Sequence, residues 1–383
     1  MFLRGFYLSD TNFMRKFLLY NLSLLIVFAG CGGQPTAAAP KNGEYKVYYK
    51  DINGAPKAQE HIVAQYKNGR LHGAYIEYFP DHTLKLEAFY DEGLQQGPFC
   101  QYFEDGSLKL KGVYKDGFYD GKIEGYYPNG NLKAISHVVN RKLEGPYIEY
   151  YENGEVQLEG HYLDNEKDGH FLEYYLSGQL KQEEYYLKGE RHGVFRDFYP
   201  SGQILQTAQY QNGLKTGVSR EYYENGQWKK VEEYKNNKLD GASREYYDNG
   251  QLKSKAFYLK GQRLGVAKMF HQDGELMALG KYKYNMLDGE GKAFDQNGTL
   301  IVEGEFKSGV INGVTKEYYY NGNIKRLIEE DPQTHLTTIT EYSLKGEVIT
   351  KHVLSKGQLT ANNKFTFGGL LIEKDLLPAR EAQ

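Results

Sequence analysis

The stretch Gly145–Asp168, which reads GPYIEYYENGEVQLEGHYLDNEKD, is the unit from which most of the chain is built. Two runs of aromatic and apolar residues flank Asn153-Gly154, and a polar segment follows the second run. Asn and Gly adopt positive φ easily, so Asn-Gly between two such runs is a strong signal for a hairpin turn. The stretch therefore predicts two short antiparallel strands.

The same unit recurs every 24 residues, with no insertion or deletion, from Gly73 onward. Each of the eleven units begins with a leading glycine and has an aromatic residue five positions later. Nine positions after the leading glycine comes a turn glycine, which only His82 replaces. A fixed period of this length indicates a repeat protein rather than several globular domains. The leading glycines are Gly73, Gly97, Gly121, Gly145, Gly169, Gly193, Gly217, Gly241, Gly265, Gly289 and Gly313.

Each unit also contains a second turn, as at Lys188-Gly189, so two strands and two turns fill the repeat and leave no room for a helix. The predicted fold class is all-β: an elongated single-sheet array of tandem β-hairpins paired edge to edge. The fourth and twelfth residues after the leading glycine vary together, as in Met269 with Met277, which predicts that they lie directly opposite each other. This pairing favours a three-residue loop ending in a left-handed glycine over a tight two-residue turn. The same register places the aromatic residues, such as Tyr150, opposite aliphatic ones, and we expect that row to form the spine of the sheet.

The repeat and its flanks predict four segments. Residues 1–30 form a signal peptide, 31–42 a lipidated cysteine and flexible tether, 43–359 the hairpin array, and 360–383 a C-terminal cap and tail.

The N-terminal segment carries the localisation signal. Arg15 and Lys16 precede a short apolar run, too short to cross a bilayer as a helix, which ends at Phe28-Ala29-Gly30-Cys31. This resembles a bacterial lipoprotein signal, which implies cleavage before Cys31, lipidation of its sulfur and a lipid-anchored cell-envelope location, on the outer membrane or facing the periplasm in a Gram-negative cell. An ordinary signal peptide with a chance cysteine is the alternative. Translation starts at Met1 or at Met14.

Composition and motifs argue against several function classes. A net charge of −3 does not indicate a general nucleic-acid binder. The ten histidines show no HExxH, and no GxSxG is present. His72 and His192 fit turn positions, and Cys100 occupies a sheet position as a small apolar residue. The sequence thus predicts no catalytic residues, no cofactor and no metal.

One column of the repeat changes in a directed way. The third residue after the leading glycine is mainly apolar in the N-terminal units and basic from Arg196 onward. We expect these basic residues to share a face with the aromatic row and to bind an extended anionic partner, such as an acidic protein segment, an envelope polysaccharide or lipid headgroups. The alternative is a solvated stripe whose field neighbouring Glu residues cancel. The basic stripe comprises Arg196, Arg220, Arg244, Lys268, Lys292 and Lys316.

The unit GxxxEYYxNGQLK, as in Gly217–Lys229 and Gly241–Lys253, resembles the MORN-repeat variant, a family whose bacterial members are often labelled antitoxin-like. The resemblance implies a hairpin array that acts as a protein–protein or membrane-associated scaffold and is not an enzyme. The expected function is a lipid-anchored, non-catalytic scaffold of the cell envelope, bound to the membrane through Cys31 and to an unknown protein or anionic envelope component. An antitoxin or immunity protein that neutralises a toxin is the alternative.

Overall fold

The computed structural model describes residues 40–50, 56–331, 333–334, 336–355, 366–367 and 370–371, and every regular element in them is a β-strand. The predicted signal peptide, Cys31 and most of the tether and tail lie outside the described residues. In the described part of the chain, no helix has the length and apolar character needed to span a bilayer.

The all-β prediction is confirmed, because β1 to β31 belong to one 31-stranded antiparallel sheet. By the density of internal contacts the chain divides into two compact units, before and after the Gly130–Asn131 bond. The strands of the first unit are β1 (Gly43–Lys50), β2 (Pro56–Lys67), β3 (Arg70–Tyr78), β4 (Leu84–Asp91), β5 (Leu94–Gln95), β6 (Gly97–Tyr102), β7 (Leu108–Lys115), β8 (Phe118–Tyr119) and β9 (Gly121–Tyr126).

The second unit continues the same pattern of hairpins. Its strands are β10 (Leu132–Val139), β11 (Lys142–Leu143), β12 (Gly145–Tyr150), β13 (Val156–Leu163), β14 (Glu166–Lys167), β15 (Gly169–Tyr174), β16 (Leu180–Leu187), β17 (Glu190–Arg191), β18 (Gly193–Phe198), β19 (Ile204–Gln211), β20 (Leu214–Tyr222), β21 (Trp228–Lys235), β22 (Lys238–Tyr246), β23 (Leu252–Leu259), β24 (Gln262–Phe270), β25 (Leu276–Lys283), β26 (Met286–Phe294), β27 (Leu300–Lys307), β28 (Val310–Tyr318), β29 (Ile324–Glu330), β30 (Leu336–Tyr342) and β31 (Val348–Ser355). A separate short hairpin pairs β32 (Thr366–Phe367) with β33 (Leu370–Leu371).

The first turn of each repeat is the three-residue loop that the sequence predicts. In the Gly145 repeat, the Tyr151 amide donates to the Glu155 carbonyl and the Gly154 amide to the Tyr151 carbonyl, at 2.8 and 2.9 Å. Gly154 has a φ of 92°, the left-handed conformation that closes such a loop. His82, the substitute in the first regular repeat, adopts the same conformation with a φ of 71°.

The second turn is a tight two-residue turn. Lys188 and Gly189 both have positive φ, at 49° and 77°, which is the geometry of a type I′ hairpin turn. Because its twist matches that of the flanking strands, this turn joins each hairpin to the next without distorting the sheet.

The predicted register is correct for the aromatic row but wrong one residue away from it. Tyr78 pairs with Leu84 as expected, whereas Glu77 pairs with Leu86 and not with Lys85. A β-bulge between Glu77 and Tyr78 leaves Lys85 as the extra residue of its strand. Its ammonium still contacts the Glu77 carboxylate at 2.6 Å, which explains why the two positions vary together.

The interpretation of the aromatic–aliphatic row as the main core is wrong. The alternation of the paired strands places the buried apolar side chains of the described residues on the opposite face, which we call the packed face. Phe99 and Phe171 are its best-buried aromatic rings, and they contact Tyr114 and Tyr186 with ring centroids 4.7 and 5.4 Å apart. By contrast, Trp228 in the predicted spine is 50% exposed. We call the face that carries the predicted spine the open face.

A hydrogen bond joins each of several repeats to the next through a tyrosine hydroxyl. The tyrosine that begins the first turn donates to the carbonyl of the aromatic residue that ends the corresponding strand one repeat later. Because the bond crosses from one hairpin to its neighbour, it fixes their spacing. The pairs are Tyr49 with Tyr78, Tyr151 with Tyr174, Tyr175 with Phe198, Tyr199 with Tyr222, Tyr223 with Tyr246, Tyr247 with Phe270 and Tyr319 with Tyr342, all at 2.6–2.9 Å.

Candidate functional site

The basic stripe lies in one hydrogen-bonded row across the open face. Each of its residues stands directly opposite a residue of the following strand, so the row continues from strand to strand. Arg220, for example, pairs with Val231, which pairs in turn with Arg244. Read from β16 to β29, the row is Glu183, Arg196, Thr207, Arg220, Val231, Arg244, Lys255, Lys268, Leu279, Lys292, Glu303, Lys316 and Leu327.

Carboxylates compensate the two ends of the stripe. The Arg196 guanidinium lies 2.7 Å from the Glu183 carboxylate. At the other end, Glu303 stands between Lys292 and Lys316, with Oε2 3.9 Å from the Lys292 ammonium and Oε1 3.9 Å from the Lys316 ammonium. Lys292 also contacts Glu290 at 2.5 Å, and this hydrogen bond raises the pKa of Lys292. These three members of the stripe therefore fit the interpretation of a salt-bridged sheet face.

The middle of the row has no such compensation. Within the described residues, none of the ion pairs reaches Arg220, Arg244 or Lys268. The directly opposed residues here are Thr207, Val231, Lys255 and Leu279. Glu233, two residues along its strand from Val231, lies beside Gly241, and none of the ion pairs among the described residues joins it to Arg220 or Arg244.

The structure adds one basic residue that the sequence analysis missed. Lys255 lies between Arg244 and Lys268, opposite both. We call Arg244, Lys255 and Lys268 the basic cluster. Arg244 and Lys255 are exposed, and the Lys255 ammonium lies 6.0 Å from the centre of the Phe270 ring. Lys255 belongs to a different column of the repeat, and only the correct strand register places that column beside the stripe.

Apolar side chains border the basic cluster on the same face. Phe257 and Val266 lie two residues along their strands from Lys255 and Lys268 and are 48% and 52% exposed. On the other side, Trp228 and Tyr246 pack with ring centroids 5.8 Å apart. These two rings, with the turn residues Gly226, Gln227, Asn249, Gly250 and Gln251, line an open cleft of about 510 Å³.

The packed face carries charges of another kind. Ion pairs cross the first turn in several repeats, such as Glu173 with Lys181 and Glu221 with Lys229, both at 2.6 Å. Glu149 has no lysine at the equivalent position, and burial raises its pKa. Burial likewise lowers the pKa of Lys167 and raises that of Asp197. These charges are distributed along the sheet rather than gathered around a cavity.

Metal ligation and the minor sequence candidates give little further chemistry. Among the described residues, no group of three or more His, Cys, Asp or Glu side chains could hold a metal ion. Cys100 is a half-buried free thiol in strand β6. His72 lies within strand β3 and contacts Asp91 at 2.8 Å, so its interpretation as a turn residue is wrong. His192 lies between β17 and β18, where its amide donates to the Tyr185 carbonyl.

Tandem hairpins paired edge to edge, each repeating the turns and contacts of the one before it, define a β-hairpin repeat protein. The model of the MORN repeat variant matches residues 95–116, 119–140, 143–164, 167–188, 191–212, 215–236, 239–260, 287–308 and 311–329. The chain belongs to the MORN repeat variant family. This family is a repeat-scaffold family and is typically non-catalytic.

Other comparisons add little. No curated protein matches the chain. Among solved structures, "Crystal Structure of TcdB2-TccC3-TEV" is 11% identical over 79% of this chain and 20% of that chain, with a TM-score of 0.15. "Crystal structure of the eukaryotic initiation factor" is 10% identical over 82% of this chain and 96% of that chain, also with a TM-score of 0.15. This chain thus spans about a fifth of the first structure's length, and neither likeness carries an argument about fold or function.

Proposed function

We propose that this protein is a non-catalytic scaffold of the cell envelope, anchored by a lipid on Cys31, whose open face binds an anionic partner. The observation that supports this function most directly is the uncompensated middle of the basic stripe. Elsewhere in the same row, carboxylates stand beside the basic side chains, as Glu183 does beside Arg196. Cations on a solvent-facing sheet surface without counter-ions attract anionic ligands and speed their encounter with the surface.

Charge reversal tests the binding function. The double variant Arg220→Glu and Arg244→Glu is expected to lose most of its salt-dependent association with an anionic polymer such as polyglutamate. Lys229→Glu with Lys253→Glu is the matched control, because it makes the same change in net charge on the packed face, where both lysines are paired. Equal binding by the two double variants would contradict a role for the open face.

Lipid labelling tests the anchor and separates it from the alternative function. Cells expressing the full chain are fed an alkyne fatty acid, and the protein is expected to carry the label and to sediment with the envelope. Cys31→Ser should lose both properties. An unlabelled protein that remains in the cytoplasm would instead support an antitoxin, whose toxin would then be sought by co-purification from the same cytoplasmic fraction.

A further inference from the structure

We infer that the basic cluster of Arg244, Lys255 and Lys268 is a binding site for an acidic peptide segment that carries a bulky apolar residue. The inference rests on the proposed binding function and assigns that function to one place on the open face and to one class of ligand. It also adds Lys255, a residue outside the basic stripe, to the binding surface.

The repeat itself provides a matched comparison. Lys292, Glu303 and Lys316 occupy the same three positions two repeats later. There the central carboxylate lies within 4 Å of both lysines, and the Tyr318 hydroxyl donates to it at 2.7 Å. The two places differ in the sign of the central residue and in the border, because Leu276 and Glu305 stand there in place of Trp228 and Phe257.

The basic cluster is unfavourable for the isolated sheet. Like charges directly opposite each other on adjacent strands destabilise a sheet, and here three follow one another. The frame accepts a glutamate at the central position, as Glu303 shows, so the lysine is not required by the fold. An arrangement that weakens the sheet without a structural need indicates a ligand that supplies the missing negative charge.

Spacing and surroundings define that ligand. Neighbouring strands lie about 4.8 Å apart, so the three cations span about 10 Å, which alternate acidic residues of an extended peptide can cover. Beside Arg244 lies the open cleft of about 510 Å³ that Trp228 and Tyr246 line, large enough to receive an aromatic side chain against their packed rings. Exposed Phe257 and Val266 extend the apolar border on the opposite side.

The charge distribution favours a peptide over a membrane surface. A bilayer would have to cover a broad area, and the open face carries carboxylates on both sides of the cluster, among them Glu159, Glu183, Glu290 and Glu303. These would repel an anionic surface. A short acidic segment contacts the cluster alone and avoids them.

The test uses a fluorescent peptide with alternating Glu residues and one Trp, and compares the full chain with two charge-exchange variants. Lys255→Glu is expected to weaken binding about tenfold or more and to raise the melting temperature, because it recreates the arrangement around Glu303. Glu303→Lys is expected to lower the melting temperature but to create no second site of equal affinity for the Trp peptide, because Leu276 and Glu305 replace Trp228 and Phe257 there.

Further probes identify the ligand class. Replacing the peptide's Trp with Ala should weaken binding to the natural chain, and this loss should disappear in Trp228→Ala. If Lys255→Glu and the natural chain bind the peptide with equal affinity, the basic cluster is not the binding site. The proposed scaffold function would still stand in that case if the Arg220→Glu and Arg244→Glu double variant lost polyglutamate binding. Lysine-dependent binding to phosphatidylglycerol vesicles without peptide binding would overturn the assignment to a peptide.

Discussion

The repeats that begin at Gly97 to Gly193 and those that begin at Gly217 to Gly313 achieve the same fold by different packing. In the earlier repeats a large side chain stands two residues after the leading glycine, as at Phe99 and Phe171, whereas the later repeats have smaller residues there, such as Ser219 and Ala267. The strand around the leading glycine is split in the earlier repeats, as in β14 and β15, and continuous over nine residues in the later ones, as in β24.

The difference shows that the turns, more than the side chains between them, fix the 24-residue frame. In the later repeats the core is made from small side chains, such as Ala267, Ala278 and Ala293, with Tyr282, Leu287 and Phe306 as its large members. The earlier repeats fill the same face with aromatic rings. We therefore expect the two regions to respond differently to the same kinds of substitution.

Truncation of a core ring should have the largest effect and should separate the regions most clearly. Phe171 is 1% exposed, so Phe171→Ala is expected to cost about 3–5 kcal/mol of the free energy of unfolding. At the equivalent later position, Ala267→Gly should cost only about 0.5–1 kcal/mol. Urea denaturation of the two variants provides the measurement, and similar losses would show that the earlier core is not the more tightly packed.

Adding a methyl group tests the packing from the opposite direction. A Cβ at Gly160 would lie 2.5 Å from the Phe171 ring, and Gly160→Ala is expected to cost about 1–3 kcal/mol. Gly125→Ala is the control, because its Cβ would come no closer than 3.8 Å to another side chain. That control should leave stability unchanged or raise it by about 0.4–1 kcal/mol. Equal responses in thermal unfolding would contradict close contact at Gly160.

The hydroxyl bonds between repeats should have a smaller effect. Tyr223→Phe removes the bond to the Tyr246 carbonyl and is expected to cost about 0.5–1.5 kcal/mol. Phe103 occupies the same position in an earlier repeat, so Phe103→Tyr is the reciprocal change and should be neutral or stabilising. Hydrogen exchange of the flanking strands would locate the effect. If exchange became faster only in strands far from Tyr223, the result would contradict a local bond.

The smallest effects concern carboxylates at equivalent positions and depend on pH. Burial raises the pKa of Glu149, so its contribution to stability is full below its unfolded pKa and is lost as pH rises through the raised value. Glu149→Gln should therefore stabilise the fold at neutral pH, and this gain should vanish in acid. Glu221 is paired with Lys229, so Glu221→Gln should cost about 0.2–1 kcal/mol at neutral pH. Unfolding of both variants at several pH values would show whether Glu149→Gln stabilises the fold at neutral pH while Glu221→Gln destabilises it.

Local chemistry made part of this structure predictable. The Asn-Gly and Lys-Gly turns follow from the φ preferences of their residues, and Tyr78 lies opposite Leu84 as the repeat predicts. The bulge beside that pair was not predictable, because Lys85 contacts Glu77 both in the expected register and in the observed one.

The sequence-based predictions at the candidate site were incomplete because they lacked the correct strand register. Once the register places Arg244 opposite Lys255, the basic cluster can be read from two columns of the repeat together instead of one. The core was assigned to the wrong face because both faces carry an aromatic row, and only the contacts, such as Phe171 with Tyr186, show which row is buried. Residue type alone does not distinguish two aromatic faces.

The hydroxyl bond from one repeat to the next has a consequence for how such proteins change over generations. Since Tyr175 contacts Phe198 just as Tyr199 contacts Tyr222, a stretch of DNA that encodes one whole repeat can be duplicated or deleted and the new neighbours will find the same partners. The number of hairpins is therefore free to change by recombination without loss of these contacts between neighbouring repeats.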